Sequence, residues 1–340
     1  MAPRVVTKEA LVAGLPPVAA IMDAMQLAYC QYSAGQAWVA PVSHVLVEGS
    51  PGGEACIKSG YVKGEASWVV KVAGGFSGNA ALGLSNSQGV MLLFSQRTGE
   101  LEAVLCDGGH LTDVRTAAAA VLCVREFKPR GARSLAVIGT GVIAKLVVEY
   151  AAGLFEEGEA ELLVVSRTAE AARSFCNFAA TKGWRRTTVA TSLEVAACAD
   201  VIVTCTPATA PVLLDVKRGA LVVALGADVP GKRELGPRVL EGDDVLLLVD
   251  SKAQCLEFGE AAYKPDALDA VELGDRFSTT VGRRANATVV CDLTGVAVQD
   301  VAIATTVAAA VAAADAPPAP PALAQSRTET LFASPPKRGP

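Results

Sequence analysis

The chain has 340 residues, 51% of them apolar, and a formal net charge of −5. That length suits roughly two domains of about 100–200 residues each. No block of basic residues interleaves with aromatics, which argues against a nucleic-acid or anionic-membrane partner. No long apolar segment follows a basic N-terminal region and no apolar run approaches the roughly 18 residues of a bilayer span, so a soluble, cytoplasmic protein with no membrane partner is expected. The nine cysteines are dispersed, form no C-x-x-C pair and read as reduced core residues, with no metal or disulfide role.

Val18, Ile21, Met22, Met25, Tyr29 and Tyr32 recur at helical spacing and predict a core-facing helix. Beyond Gly35 come short segments bounded by Gly, Ser and Pro: Trp38 to Val47, Glu54 to Tyr61, Ser67 to Ala73, then Val90 to Phe94 and Ala103 to Cys106 across a Thr98-Gly99 turn. They predict an antiparallel or mixed sheet. Two lysines stand in it. Lys58 lies in Ile57-Lys58-Ser59-Gly60-Tyr61, and Lys71 lies among Val and Ala between Trp68 and Phe76. A lysine there is costly to bury unless a counter-charge such as a substrate carboxylate meets it. The alternative is that strand alternation turns Lys71 to solvent.

A helix is expected from Thr112 to about Glu126. Arg115, in its first turn, either grips a carboxylate in bidentate fashion or pairs with nearby Asp113. Next, Leu135 to Ala144 reads as an apolar strand entering a glycine turn, Gly139-Thr140-Gly141-Val142-Ile143, with a helix behind it. One glycine makes the tight turn, the next lets backbone N–H groups approach a pyrophosphate, and the helix offers the positive end of its dipole. Further continuous apolar segments, Glu161 to Ser166, Asp200 to Pro207, Ala220 to Asp228 and Val245 to Ser251, predict parallel strands covered by helices on both faces.

The second of these strands ends Ser166-Arg167-Thr168 with no carboxylate to bond a ribose hydroxyl, so NADP(H) is favoured over NAD(H). Arg167 as a solvated residue stacking on adenine would leave that choice open. Thr204 and Thr206, at the end of the third strand, join the cofactor-binding candidates. Asp228, between glycines after the fourth, is either a general acid/base facing the nicotinamide or a turn residue. Lys232 either reaches the cofactor or substrate or is exposed. Val298 to about Ala314 predicts an apolar, Ala-rich helix, and the Pro- and Ala-rich residues 315–340 read as a disordered tail. No internal repeat is evident. The fold class expected is α/β: a Rossmann-type doubly wound parallel-sheet domain over residues 126–297 plus an α+β N-terminal domain over 1–125.

The ordered set of the Lys71-to-Asn79 segment (Lys-x-x-x-x-Phe-x-x-Asn), the Thr98-Gly99 turn, Leu111-Thr112-Asp113-Val114-Arg115-Thr116-Ala117-Ala118, the Gly139 turn, Asp228-Val229-Pro230-Gly231-Lys232, and Asp292-Leu293-Thr294-Gly295 with Gln299-Asp300 resembles the ornithine cyclodeaminase/mu-crystallin family from about Ala10 to Ala313. The resemblance implies an N-terminal domain that binds substrate and forms a homodimer, with helix 298–314 returning to it. It implies that Lys71 binds or polarises the substrate near its carboxylate, that Arg115 contacts carboxylate and cofactor, and that Asp228 is the acid/base. The implied chemistry is hydride exchange at the α-carbon of a small amino acid or cyclic imino acid. Its founding case converts L-ornithine to L-proline and ammonia; ketimine reduction and alanine-type dehydrogenation are alternatives, and a mu-crystallin-like NADP(H)-binding protein without required turnover is the alternative of another class. The chain departs from the family at Ala40-Pro41-Val42-Ser43-His44, where many members carry a carboxylate-gripping arginine, and Lys58 is the expected substitute. Ile143 stands where Gln is common, and Val90 where a strand Thr is common. His44 and His110 receive no role.

Overall fold

The computed structural model describes residues 2–315 apart from 50–52, 156–158, 191, 243, 265–266 and 280–285. The expected tail therefore lies, beyond residue 315, outside the described residues.

The first sheet contains β1 (Arg4–Thr7), β2 (Ala37–Val39), β3 (Ser43–Leu46), β4 (Gly53–Val62), β5 (Ser67–Phe76), β6 (Ser87–Ser95) and β7 (Leu101–Cys106), in the order β1-β7-β6-β5-β4-β2 with β3 also on β4. All its pairings are antiparallel except β1 on β7. The single strand expected from Trp38 to Val47 is split into β2 and β3 around Pro41, which has no N–H to give a ladder. Along β4 and β5 the side chains alternate. Lys58, Gly60 and Val62, with Ser67, Val69 and Lys71, form the buried face, so Lys71 points inward and not to solvent.

The second sheet is entirely parallel: β8 (Ser134–Ile138), β9 (Glu161–Val165), β10 (Arg186–Val189), β11 (Val201–Thr204), β12 (Leu221–Ala224), β13 (Val245–Val249), β14 (Val271–Glu272) and β15 (Thr288–Asp292), in the order β10-β9-β8-β11-β12-β15-β13-β14. Strand order reverses between β8 and β11, the switch point at which doubly wound sheets bind ligands. One apolar cluster runs from the first sheet into one face of the second, and another covers the opposite face.

The helices are α1 (Lys8–Ala13), α2 (Val18–Ser33), α3 (His110–Phe127), α4 (Val142–Ala151), α5 (Ala169–Thr181), α6 (Leu193–Ala197), α7 (Pro237–Leu240), α8 (Lys252–Phe258), α9 (Leu273–Phe277) and α10 (Ala297–Asp315). The long α10 packs on α2, α3, β4 and β5 and so closes the N-terminal layer. Contrary to expectation, Ala297–Ala314 is long and apolar enough to cross a bilayer by length and composition, and half of it is buried inside the fold. Its apolarity serves contact with α1, β2 and β6 as well as with those four elements.

Candidate active site

Lys58 and Lys71 are direct register partners across β4 and β5. Both ammonium groups are buried, and they are held differently. Lys71 Nζ lies 3.0 and 3.2 Å from the two carboxylate oxygens of Asp300, in the first turn of α10. Arg115, from the second turn of α3, donates its Nε to Asp300 Oδ1 at 3.0 Å and its Nη1 to Gln299 Oε1 at 3.5 Å. The alternative, an ion pair with Asp113, does not form: Asp113 accepts from Ser87 Oγ, while Arg115 turns to Asp300. Burial pulls the Lys71 ammonium down to about 7 against the opposing pull of Asp300, with Arg115 and Lys58 adding repulsion. Asp300 is held below its ordinary value: burial works against the carboxylate, but Lys71 and Arg115 outweigh it.

Lys58 Nζ donates to the carbonyl oxygens of Thr294 and Gly295, at 3.1 and 2.5 Å. Among the described residues it has no carboxylate partner, and burial followed by Arg115 repulsion lowers its pKa. The loop that holds it is itself pinned: Asp250, just past β13, accepts from Thr294 Oγ1 at 2.9 Å and Gly295 N at 2.6 Å, and Gln254 Nε2 donates to Gly295 O. Gly295 is favoured by its backbone, and a side chain there would displace the end of Arg115. Its φ is +80°, and a Cβ there would stand 2.6 Å from Arg115 Nη1.

Asp228 follows β12 at the carboxyl end of the parallel sheet, with its side chain 47% exposed. Lys232 Nζ donates to Asp228 Oδ1 at 3.0 Å and to Glu54 Oε1, on β4, at 2.8 Å. His44 Nε2 lies 3.3 Å from Glu54 Oε2. Lys232, expected at the cofactor or substrate, is thus a bridge between two carboxylates, and burial of its amine is outweighed by them so that its pKa rises. Asp228 also raises the pKa of Lys58, which puts it within electrostatic reach of the buried cations.

At the glycine turn, Gly139 has φ +117° and a Cβ there would lie 2.6 Å from the Cys205 carbonyl oxygen. Gly141 is the N-cap of α4, without a side-chain cap, and a Cβ on it would meet nothing within 4 Å. Thr140, Gly141, Val142 and Ile143 therefore leave open backbone N–H groups at a helix N-terminus, which fits a dinucleotide pyrophosphate. Thr204 and Thr206 behave otherwise. Both donate their hydroxyls to the buried Glu234, at 2.7 Å each, and Glu234 also accepts from the N–H groups of Thr206 and Gly226. Their hydroxyl protons are committed to Glu234, which organises the loop beside the turn and leaves only acceptor lone pairs for a cofactor.

Asp300, Glu54, Asp250 and Glu234 are thus parts of the site that reasoning from sequence did not single out. Asp300 lies in the Gln299-Asp300 pair, but its charge role needs the lysine and arginine that the fold brings to it.

The chain matches the family model described as ornithine cyclodeaminase/mu-crystallin over residues 4–314. It is 31% identical over 267 residues to the ketimine reductase mu-crystallin of Mus musculus, covering 78% of this chain and 82% of that one. An archaeal alanine dehydrogenase dimer with bound NAD superposes with a TM-score of 0.83 at 26% identity, covering 93% of this chain and 98% of that one. The iminosuccinate reductase of Paracoccus denitrificans in complex with NAD+ gives 0.80 at 27%, covering 92% and 97%. Both structures hold the unphosphorylated cofactor, which overturns the expectation of NADP(H) and favours NAD(H). Around the end of β9, Ser166 Oγ pairs with Thr140 Oγ1, Thr168 caps α5 by accepting from Ala171 N, and Arg167 is exposed.

Proposed function

The chain belongs to the ornithine cyclodeaminase/mu-crystallin family, an oxidoreductase on amino or imino acids, and we propose that it moves hydride between NAD(H) and the α-carbon of an α-imino or α-amino acid without a second free amine. The observation that carries this reading is the charge balance of the site. Asp300 is matched by Lys71 and Arg115, and Asp228 and Glu54 share Lys232, whereas among the described residues Lys58 Nζ donates only to carbonyl oxygens. A substrate carboxylate supplies the missing counter-charge. An ornithine side-chain ammonium, in contrast, would compete at Asp300, Asp228 and Glu54 with cations already seated there. That balance supports the imine-reductase or alanine-type dehydrogenase alternative over cyclisation of ornithine to proline.

In this reading Lys58, Lys71 and Arg115 hold and orient the substrate carboxylate, and their burial strengthens each contact. Asp228 gives or takes the proton at the substrate nitrogen. The backbone from Gly139 to Ile143 holds the cofactor's pyrophosphate, and the bound nicotinamide supplies the hydride. The outer face of the first sheet, with Trp68, Val70, Val72, Leu92, Phe94 and Val104 half-buried, is apolar and supports a homodimer with a second copy seated there.

The test is a panel run with NADH and NADPH: pyrroline-2-carboxylate, piperideine-2-carboxylate, and pyruvate or oxaloacetate with ammonia, alongside L-ornithine with NAD+. NADH oxidation with at least one imino acid, and no proline from ornithine, is the expected result. Proline release would sink the substrate assignment, and NADH binding with no turnover on any member would make the protein a cofactor binder.

A further inference from the structure

We propose that Glu54 is a positioning residue for Asp228, acting through Lys232, so that the acid/base group is in place only while the two sheets are held against each other. Three links make the connection. His44, on β3, steadies one oxygen of Glu54 on β4, the other oxygen accepts from Lys232 at 2.8 Å, and the same ammonium donates to Asp228 at 3.0 Å. Glu54 belongs to the first sheet, and the other two belong to the loop after β12 in the second.

Among the described residues Asp228 has no other side-chain partner, and it is half exposed. Its carboxylate therefore takes its place from Lys232. Lys232 is an i,i+4 neighbour that reaches Asp228 without help from elsewhere, but a four-carbon stem allows many such placements. The second contact selects one. Glu54 fixes where the ammonium sits relative to the face bearing Lys58 and Lys71, and so fixes where the Asp228 oxygen sits relative to a carboxylate bound there. The Lys232 side chain is only 18% exposed, which sets this bridge apart from a solvent-screened surface pair. The pair of carboxylates also keeps Lys232 charged, so the bridge persists across the neutral range.

The inference rests on Asp228 as acid/base, and a displacement of about 1 Å at such a group is worth on the order of 100-fold in rate. The carboxylate-binding cations do not touch Glu54. Glu54→Gln is therefore expected to lower kcat at least tenfold for NADH-dependent reduction of pyrroline-2-carboxylate, or of whichever imino acid the panel ranks first, while KM and the NADH dissociation constant stay within threefold. Lys232→Met should lower kcat by a similar factor, and the Glu54→Gln/Lys232→Met double variant should be no slower than Lys232→Met alone. Unchanged kcat in Glu54→Gln, or losses that multiply in the double variant, overturn the proposal. Should the wild-type protein reduce no imino acid, the functional reading fails separately. The bridge is then decided by the same three variants in urea, where additive midpoint shifts reject it and non-additive shifts uphold it.

Discussion

Lys58 and Lys71 stand directly opposite each other on one buried face of the first sheet, and among the described residues Asp300 forms its ion pair with Lys71 and not with Lys58. Like charges in that register repel, so the arrangement holds only because α10 delivers Asp300 between Lys71 and Arg115. Asp300→Asn leaves two buried cations uncompensated, a loss of about 3–5 kcal/mol. Asp300 has a folded-state pKa below its unfolded value, so its stabilisation is present above about pH 4 and is lost as the pH falls through the folded value. Urea midpoints of wild type and Asp300→Asn should differ strongly at pH 7 and converge in acid. Equal midpoints at pH 7 would remove Asp300 from this role.

The Lys71 ammonium, pulled down to about 7 by burial, predicts a pH dependence of substrate binding. Below pH 7 the charged form holds a carboxylate, and above it that form is lost, so KM should rise toward a limiting tenfold per pH unit. Stability moves the other way. Between about 7 and the unfolded value near 10.4 the unfolded chain binds the extra proton, so the fold gains stability as pH rises through that window. Steady-state kinetics from pH 6 to 9 should show the KM rise, and Lys71→Arg, charged throughout, should flatten it. A wild-type KM independent of pH would show that Lys71 does not hold the carboxylate.

What was legible before the structure was local. Continuous apolar runs mark β8, β9, β11, β12 and β13, and a lysine among Val and Ala marks Lys71. β10 reads Arg-Thr-Thr-Val and β14 has two residues, so neither edge strand carries an apolar run. β15 has one, yet it inserts between β12 and β13, a crossover that no local pattern reveals. The electrostatics lie beyond local reading because partners are far apart in the chain: Asp300 is 229 residues from Lys71, and Glu54 is 178 from Lys232.

Gly139 and Gly141 should respond differently to the same added methyl group. At Gly139 a Cβ meets the Cys205 carbonyl at 2.6 Å in a left-handed conformation, so Gly139→Ala should destabilise the fold and lose NADH binding with it. At Gly141 the Cβ meets no protein atom, and φ is −76°. Gly141→Ala should therefore keep its melting behaviour within about 0.5 kcal/mol, while obstructing the approach of the pyrophosphate. Nicotinamide fluorescence titration should show the NADH dissociation constant raised tenfold or more, about 1.4 kcal/mol. Unaltered NADH affinity in Gly141→Ala would place the dinucleotide elsewhere.

Lys58 separates stability from function most sharply, because its burial is unfavourable without a ligand. Met fills a similar volume without charge, and exchanging a buried, poorly compensated ion for an apolar side chain is typically neutral or stabilising by about 1–4 kcal/mol. The cost is one lost acceptor partner: Gly295 O keeps Gln254 Nε2, while Thr294 O gives up its bond to Lys58 Nζ, worth about 1–3 kcal/mol if it stays dry. The two nearly cancel, so Lys58→Met should unfold at a urea midpoint no lower than wild type, within about 1 kcal/mol. Carboxylate binding has no such offset, since the substrate loses a buried cation, and KM should rise at least tenfold with NADH affinity unchanged. A variant that is much less stable yet keeps its KM would make Lys58 a structural tie between β4 and the Thr294–Gly295 loop, and would withdraw it from the substrate site.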